Sequence, residues 1–199
     1  MLSNPLRRSF LAAALPLAVP LLGAACASAD AQLYTIAVKP GPAQPGGPKI
    51  VQLREIGLAR YLDRREIVRS SDGNKLAVAN NDWWGEPLGT MLARVLVVGL
   101  SQRLPHANIY SEGGAISADP NAVLAINIQR LDVSQGTGGV GTLELLAQAA
   151  VEFTRPKRQV ARTFAISKPV PTATVAGQVT AISDAVAELS DGLAALLQS

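Results

Sequence analysis

Thr142-Leu143-Glu144-Leu145-Leu146-Ala147-Gln148-Ala149-Ala150-Val151-Glu152-Phe153 is the stretch that decides the fold. Leu143, Leu145, Ala147, Ala149, Val151 and Phe153 share one parity, and Glu144, Gln148 and Glu152 the other, which predicts a strand with one buried and one wet face. Val123 to Val133 predicts a strand before it. There Leu124, Ile126 and Ile128 share one parity while Leu131 and Val133 take the other, so a bulge is expected near Arg130. Val160 to Ile166 predicts the last strand, turned back by the corner Arg155-Pro156-Lys157-Arg158. The chain closes on Val175, Val179, Ile182, Val186, Leu189, Leu193 and Leu196, separated by four and three residues alternately, the apolar stripe of a helix packed on a sheet. The same narrow stripe would also suit a seam between copies.

The first half of the chain reads as shorter elements. Strands are expected over Leu33 to Val38, Ile50 to Leu58, Glu66 to Arg69 and Leu76 to Ala79, the last after an Asp72-Gly73 turn. Between the first two, residues 39–49 interleave Pro40, Pro42, Pro45 and Pro48 with three glycines, a composition that supports neither a helix nor a central strand and predicts a surface connection. Glu86-Pro87 opens a helix that Pro105 ends, with Leu88, Leu92, Val95, Gly99 and Leu100 facing inward. Two main helices on a mostly antiparallel or mixed sheet, with strands in largely hairpin succession, give an α+β single-domain sandwich.

Ahead of this domain, residues 1–25 have the order of a secretory leader. Arg7 and Arg8 supply the positive end, Phe10 to Leu22 the apolar run, and Gly23-Ala24-Ala25 the small residues before a cut. The apolar run, interrupted by Pro16 and Pro20, is shorter than the roughly 20 residues a bilayer span needs. Cys26, the only cysteine, comes at once after it, where a lipoprotein carries its lipid, although Gly23 stands at the place a lipobox usually gives to leucine. Arg7-Arg8-Ser9-Phe10-Leu11 also has the look of a twin-arginine export signal. The expected mature chain, residues 26–199, is anchored through Cys26; cleavage without lipidation would leave it soluble in the periplasm. The leader takes two basic residues and no acid from a chain of 18 basic and 15 acidic residues, so the mature domain is almost neutral and makes no case for nucleic acid.

Catalytic chemistry has little to draw on. His106 is the only histidine and stands beside Pro105 without a nucleophile motif around it. With Cys26 at the leader boundary, no His and Cys cluster is expected to hold a metal, and no cofactor is expected. Asp63 and Glu66 sit among arginines and read as solvated ion pairs. Gly136-Thr137-Gly138-Gly139-Val140-Gly141 matches the dinucleotide fingerprint in letters, yet the residues after Gly141 alternate with period two, so it reads as a hairpin loop. Most prominent is a concentration of interface types: Tyr61, Asp63, Arg64, Arg65 and Arg69, with Trp83 and Trp84 shortly after.

Tyr61-Leu62-Asp63-Arg64 with Ile67-Val68, Leu76, and Trp84-Gly85-Glu86-Pro87-Leu88 opening a helix with Arg94-Val95-Leu96 resemble the ABC-type transport auxiliary lipoprotein family. The resemblance runs from the leader to the closing helix, with Arg65 where a proline often follows the arginine. It implies a non-enzymatic auxiliary component of an ABC-type transport system. The expected partners are a mammalian-cell-entry (MCE) domain protein and ABC transporter components that move lipids between the inner and outer membranes. Ala27, where an aspartate often retains lipoproteins at the inner membrane, points to the outer one. Tyr61, Asp63, Arg64, Arg65 and Trp84 are the expected partner-binding residues, for the MCE protein or for a second copy of this chain. A periplasmic scaffold or activator of envelope biogenesis would have the same tether and fold.

Overall fold

The computed structural model describes residues 30–71, 74–114, 118–134 and 141–199. The leader, Cys26, the Asp72-Gly73 turn and Gly136 to Val140 lie outside them. In chain order the elements are β1 (Gln32–Tyr34), β2 (Ile50–Leu53), β3 (Gly57–Leu58), β4 (Glu66–Ser70), β5 (Ala77–Trp84), α1 (Leu88–Arg103), β6 (Asn108–Ser111), β7 (Ala122–Ser134), β8 (Thr142–Thr154), β9 (Lys157–Pro169) and α2 (Val175–Leu196). A six-stranded sheet has the order β6-β2-β7-β8-β9 with β3 also beside β7, and a three-stranded sheet has the order β1-β5-β4. The architecture is α+β with a mixed sheet and two helices.

β7, β8 and β9 form an antiparallel meander of 13 residues per strand. The parity change in β7 is a bulge: Ile128 pairs with Ala147 and Arg130 with Leu146, so one β7 residue between them has no partner opposite. That extra residue puts Leu131 and Val133 on the buried face already held by Leu124, Ile126 and Ile128.

The first half departs from the expected hairpin succession. β1 pairs with β5, β2 with both β6 and β7, and β3 with β7, all in parallel; the short hairpin β4–β5 is antiparallel. Parallel neighbours need a long crossover, and the chain from β3 through α1 provides one that returns β6 to the side of β2. The strand expected over Ile50 to Leu58 is interrupted. Leu53 pairs with Leu124 and Gly57 with Asn127, so three residues on one side face two on the other, and the pairing breaks at Arg54 to Ile56.

α2 lies over β8 and β9, and α1 packs beside α2 and against β6. Val179, Ile182, Val186, Leu189, Leu193 and Leu196 are all buried, so the stripe of the closing helix is used within the chain. The Thr174 side chain caps this helix by accepting a hydrogen bond from the Gly177 N–H at 3.1 Å. At Gly192 a Cβ would come 2.5 Å from the Phe164 ring, so the glycine sets how closely α2 approaches β9. Among the described residues no helix is long and apolar enough to cross a membrane.

The segment rich in proline and glycine tracks along the two helices. Ile36 N–H donates to Met91 Sδ, Ala37 N–H to Ser183 Oγ, Lys39 pairs with Asp184, and Gln44 N–H donates to the Arg103 carbonyl at 2.6 Å. The partners occur in rising order on both helices, so the segment runs the same way as each of them. At its centre is Arg103, 1% exposed. Its Nε donates to Asp191 Oδ1 at 2.5 Å, Nη1 to the Gly99 carbonyl at 3.0 Å, and Nη2 to the Ala187 carbonyl at 3.0 Å. Gly41 lies over the guanidinium, where a Cβ would meet it at 2.4 Å. Removing one partner of a buried ion pair strands the other. Asp191 is partly exposed, so Asp191→Ala is expected to cost about 2–3 kcal/mol in chemical denaturation. Lys39→Ala, which breaks a more exposed pair, should cost under about 1 kcal/mol.

Candidate functional site

Residues 59–65 join β3 to β4 in a tight turn. Ala59 N–H donates to the Ile128 carbonyl, Leu62 N–H to the Ala59 carbonyl, and Arg64 N–H to the Leu62 carbonyl. Leu62 is buried at 2% exposure, which turns its neighbours Asp63, Arg64 and Arg65 outward. Arg64 pairs with Glu66 at 3.2 Å. The Glu66 carboxyl is held below its ordinary range by its own backbone N–H and then by the Arg64 guanidinium. Arg65 places its guanidinium 3.8 Å from the centre of the Trp83 ring.

The five residues expected to form one binding surface divide into two groups. Asp63, Arg64 and Arg65 are exposed together. Trp84 is instead buried in the core at 6% exposure, and the indole beside the arginines is that of Trp83. Adjacent strand residues point to opposite faces, so only one of two neighbouring tryptophans can lie outside. Tyr61 is half-buried, and its hydroxyl donates to Asp132 Oδ2 at 2.7 Å. Asp132 is fully buried; Ser71 Oγ also donates to Oδ2 at 2.7 Å, and Arg130 Nε donates to Oδ1 at 3.0 Å. A buried carboxylate with this many donors is stabilised where a bare one would not be. The sequence pattern missed Asp132, because strand alternation alone puts it on the wet face opposite Leu131 and Val133; nothing in the local sequence shows that Tyr61 and Ser71 close over it.

Asp63 also stands on the rim of a cleft of about 950 Å³ between α1 and the interrupted edge at Arg54 to Leu58. Leu58, Ala93 and Val97 supply apolar lining, while Arg54, Glu55 and Glu112 bring both signs of charge. Such a lining suits a protein surface better than a ligand of one charge. His106 is exposed in the turn after α1, and among the described residues no group of His, Cys, Asp or Glu could hold a metal ion. The glycine run leads into β8, so the helix N-terminus that would hold a pyrophosphate does not come after it.

Burial, then the hydrogen bond and charge of Asp132, push the Tyr61 phenol up to about 12 from its ordinary value of 10.0. A pKa raised on folding means that the stabilisation is complete below the unfolded value and lost as pH rises through the folded one. Stability from this bond should therefore be full below about pH 10 and fall between about pH 10 and 12, monitored by denaturation and by phenolate absorbance. Tyr61→Phe is expected to cost about 1.5–3 kcal/mol at neutral pH and to remove that alkaline phase.

A crystallised protein from Xanthomonas campestris of the family DUF330 shares this fold at 18% identity and a TM-score of 0.70, covering 84% of this chain and 95% of its own. A second crystallised protein, of uncharacterised role, aligns at 16% identity and a TM-score of 0.66, over 84% of this chain and 98% of its own. A search of curated protein sequences finds no match. The family described as the ABC-type transport auxiliary lipoprotein component matches residues 32–194, from β1 nearly to the end of α2. The chain belongs to the ABC-type transport auxiliary lipoprotein component family.

Proposed function

We propose that this chain is an exported lipoprotein, anchored through Cys26 at the periplasmic face of the outer membrane, that serves an ABC-type lipid transport system as a non-enzymatic accessory. Its direct partner in this reading is the MCE-domain protein of that system. The observation that carries the proposal is the family match over residues 32–194. The leader and Cys26 support the anchor. The exposed turn supports a partner surface: Asp63, Arg64 and Arg65 stand beside Trp83, a set of side chains that combines contact area with directional hydrogen bonds. Tyr61 and Trp84 serve the same surface from behind, Tyr61 by tying the turn to Asp132 and Trp84 by seating β5 in the core.

Mass spectrometry of the mature protein tests the anchor. The expected N-terminus is an acylated Cys26, whose several chains give stable membrane attachment where one chain is marginal. An unmodified start at Ser28 or Asp30 rejects it. The partner surface is tested by replacing Arg64 and Arg65 together with alanine. Surface positions of this kind should change stability by no more than about 0.5–1 kcal/mol. Loss of capture of the MCE-domain protein with an unchanged melting curve is the expected result. Full capture by the folded variant removes these arginines from the interface, and co-purification of the parent protein with cell-wall enzymes instead of transporter components favours an envelope scaffold.

A further inference from the structure

The line of β6 stops short of the sheet it borders. β6 lies beside β2 from Asn108 opposite Ile50 to Ser111 opposite Leu53, and Glu112 N–H closes that ladder on the Leu53 carbonyl at 2.7 Å. At Gly113, with a φ of 79°, the chain turns away, and Asn121 N–H donates to the Ile50 carbonyl at the far end of β2. The sheet itself continues past Leu53 as β3, which pairs with β7 on one side. Among the described residues no strand lies on its other side.

Backbone groups are left open along this gap. Glu55 N–H points into it and is taken by Glu112 Oε2 at 3.4 Å, in place of a further β6 carbonyl. In a parallel ladder the N–H and C=O of one residue go to the same neighbour and successive residues alternate, so with Ala59 N–H on the Ile128 carbonyl, Leu58 turns its own pair outward. Neither that outward pair nor the N–H and C=O of Ile56 bond to another described residue.

A short edge open to water is ordinary. This one instead borders the cleft of about 950 Å³ whose opposite wall is α1. Ala93 and Val97 make that wall apolar, and Val98, 40% exposed, extends it. Charge narrows the occupant further. Arg94 is held by Glu86 at 2.6 Å, which leaves Arg54 against the exposed carboxylates of Glu55, Asp63 and Glu112. The excess is acidic, so a matching segment is basic.

We propose that a partner protein docks here by adding an extended, basic segment as the strand that β6 does not supply, alongside β3 and against α1. Its apolar side chains face Ala93 and Val97, its lysines or arginines face Glu55, Asp63 and Glu112, and its backbone bonds to Ile56 and Leu58. The slot adjoins the arginine turn at Asp63 but uses neither Arg64 and Arg65 nor the anchor at Cys26.

The probe is a phage-displayed library of random short peptides selected on the purified full chain, followed by the best binder made as a dye-labelled peptide. The expected sequence alternates apolar and basic residues, and its binding slows hydrogen exchange at the Ile56 and Leu58 amides. N-methylation of one alternate set of its backbone nitrogens should weaken binding by about tenfold or more, and of the other set little. Ala93→Trp, at a half-buried position, should fill the slot and abolish binding with the melting curve unchanged. If that variant unfolds, Glu55→Gln with Glu112→Gln, both exposed, should weaken binding in its place. Arg64→Ala with Arg65→Ala should bind the peptide as the parent does. The proposal is overturned by the absence of any binder to the folded parent, by a preference for acidic peptides, or by equal binding of both N-methylated forms. Protection of other amides instead, or full binding by folded Ala93→Trp or by the glutamine pair, overturns it too. Loss of binding in the arginine variant moves the peptide to the turn and overturns the slot.

Discussion

A single buried guanidinium holds three parts of the molecule that are far apart in sequence. Arg103, at the end of α1, reaches Asp191 and the Ala187 carbonyl on α2, and Gly41 of the proline-rich segment closes over it. Burying a cation is costly unless each donor finds a partner, and here the partners come from both helices. The arrangement therefore enforces the spacing of α1 and α2 and the course of residues 36–44 at once. It adds to the contacts with Met91, Ser183 and Asp184 that hold a segment with no regular hydrogen bonding of its own.

Asp132 plays a comparable part at the other side of the meander. It is a carboxylate with no exposure, and its donors come from the β3–β4 turn, from Ser71 and from β7 itself. The consequence is mechanical. The turn that presents Asp63, Arg64 and Arg65 is pinned from beneath by Tyr61 and Leu62, so the exposed side chains stand on a fixed base. A surface held in this way loses less freedom when a partner binds. Arg103 and Asp132, the two deeply buried charges among the described residues, thus hold the structure together, and the groups open to solvent are suited to contact.

The small sheet ties the arginine turn to the core. β1 runs parallel to β5 with Leu33 opposite Trp83, and Arg65 stacks on the Trp83 ring, so β1 and the arginine turn meet at the same end of β5. Trp84, the next residue, is buried at 6% exposure and seats that end of β5 in the core.

Local pattern was enough for much of this protein. The alternation of Thr142 to Phe153, the parity change at Arg130 and the four-three stripe from Val175 to Leu196 each describe a residue's relation to near neighbours. They appear in the structure as a strand, a bulge and a packed helix. The leader expected over residues 1–25 and the anchor proposed at Cys26 are readings of local pattern of the same kind, and so are the family's short motifs. Tertiary structure alone decided the parallel pairing of β2 with β6 and β7, the break at Arg54 to Ile56, the burial of Arg103 and Asp132, and the choice of Trp83 over Trp84 as the indole beside Arg65. Whether a charged or aromatic side chain is buried depends on partners 50 or more positions away, as Tyr61 with Asp132 and Arg103 with Asp191 show. Periodicity records which face a residue occupies, but the cover over that face is settled by contacts that close only when the chain has folded.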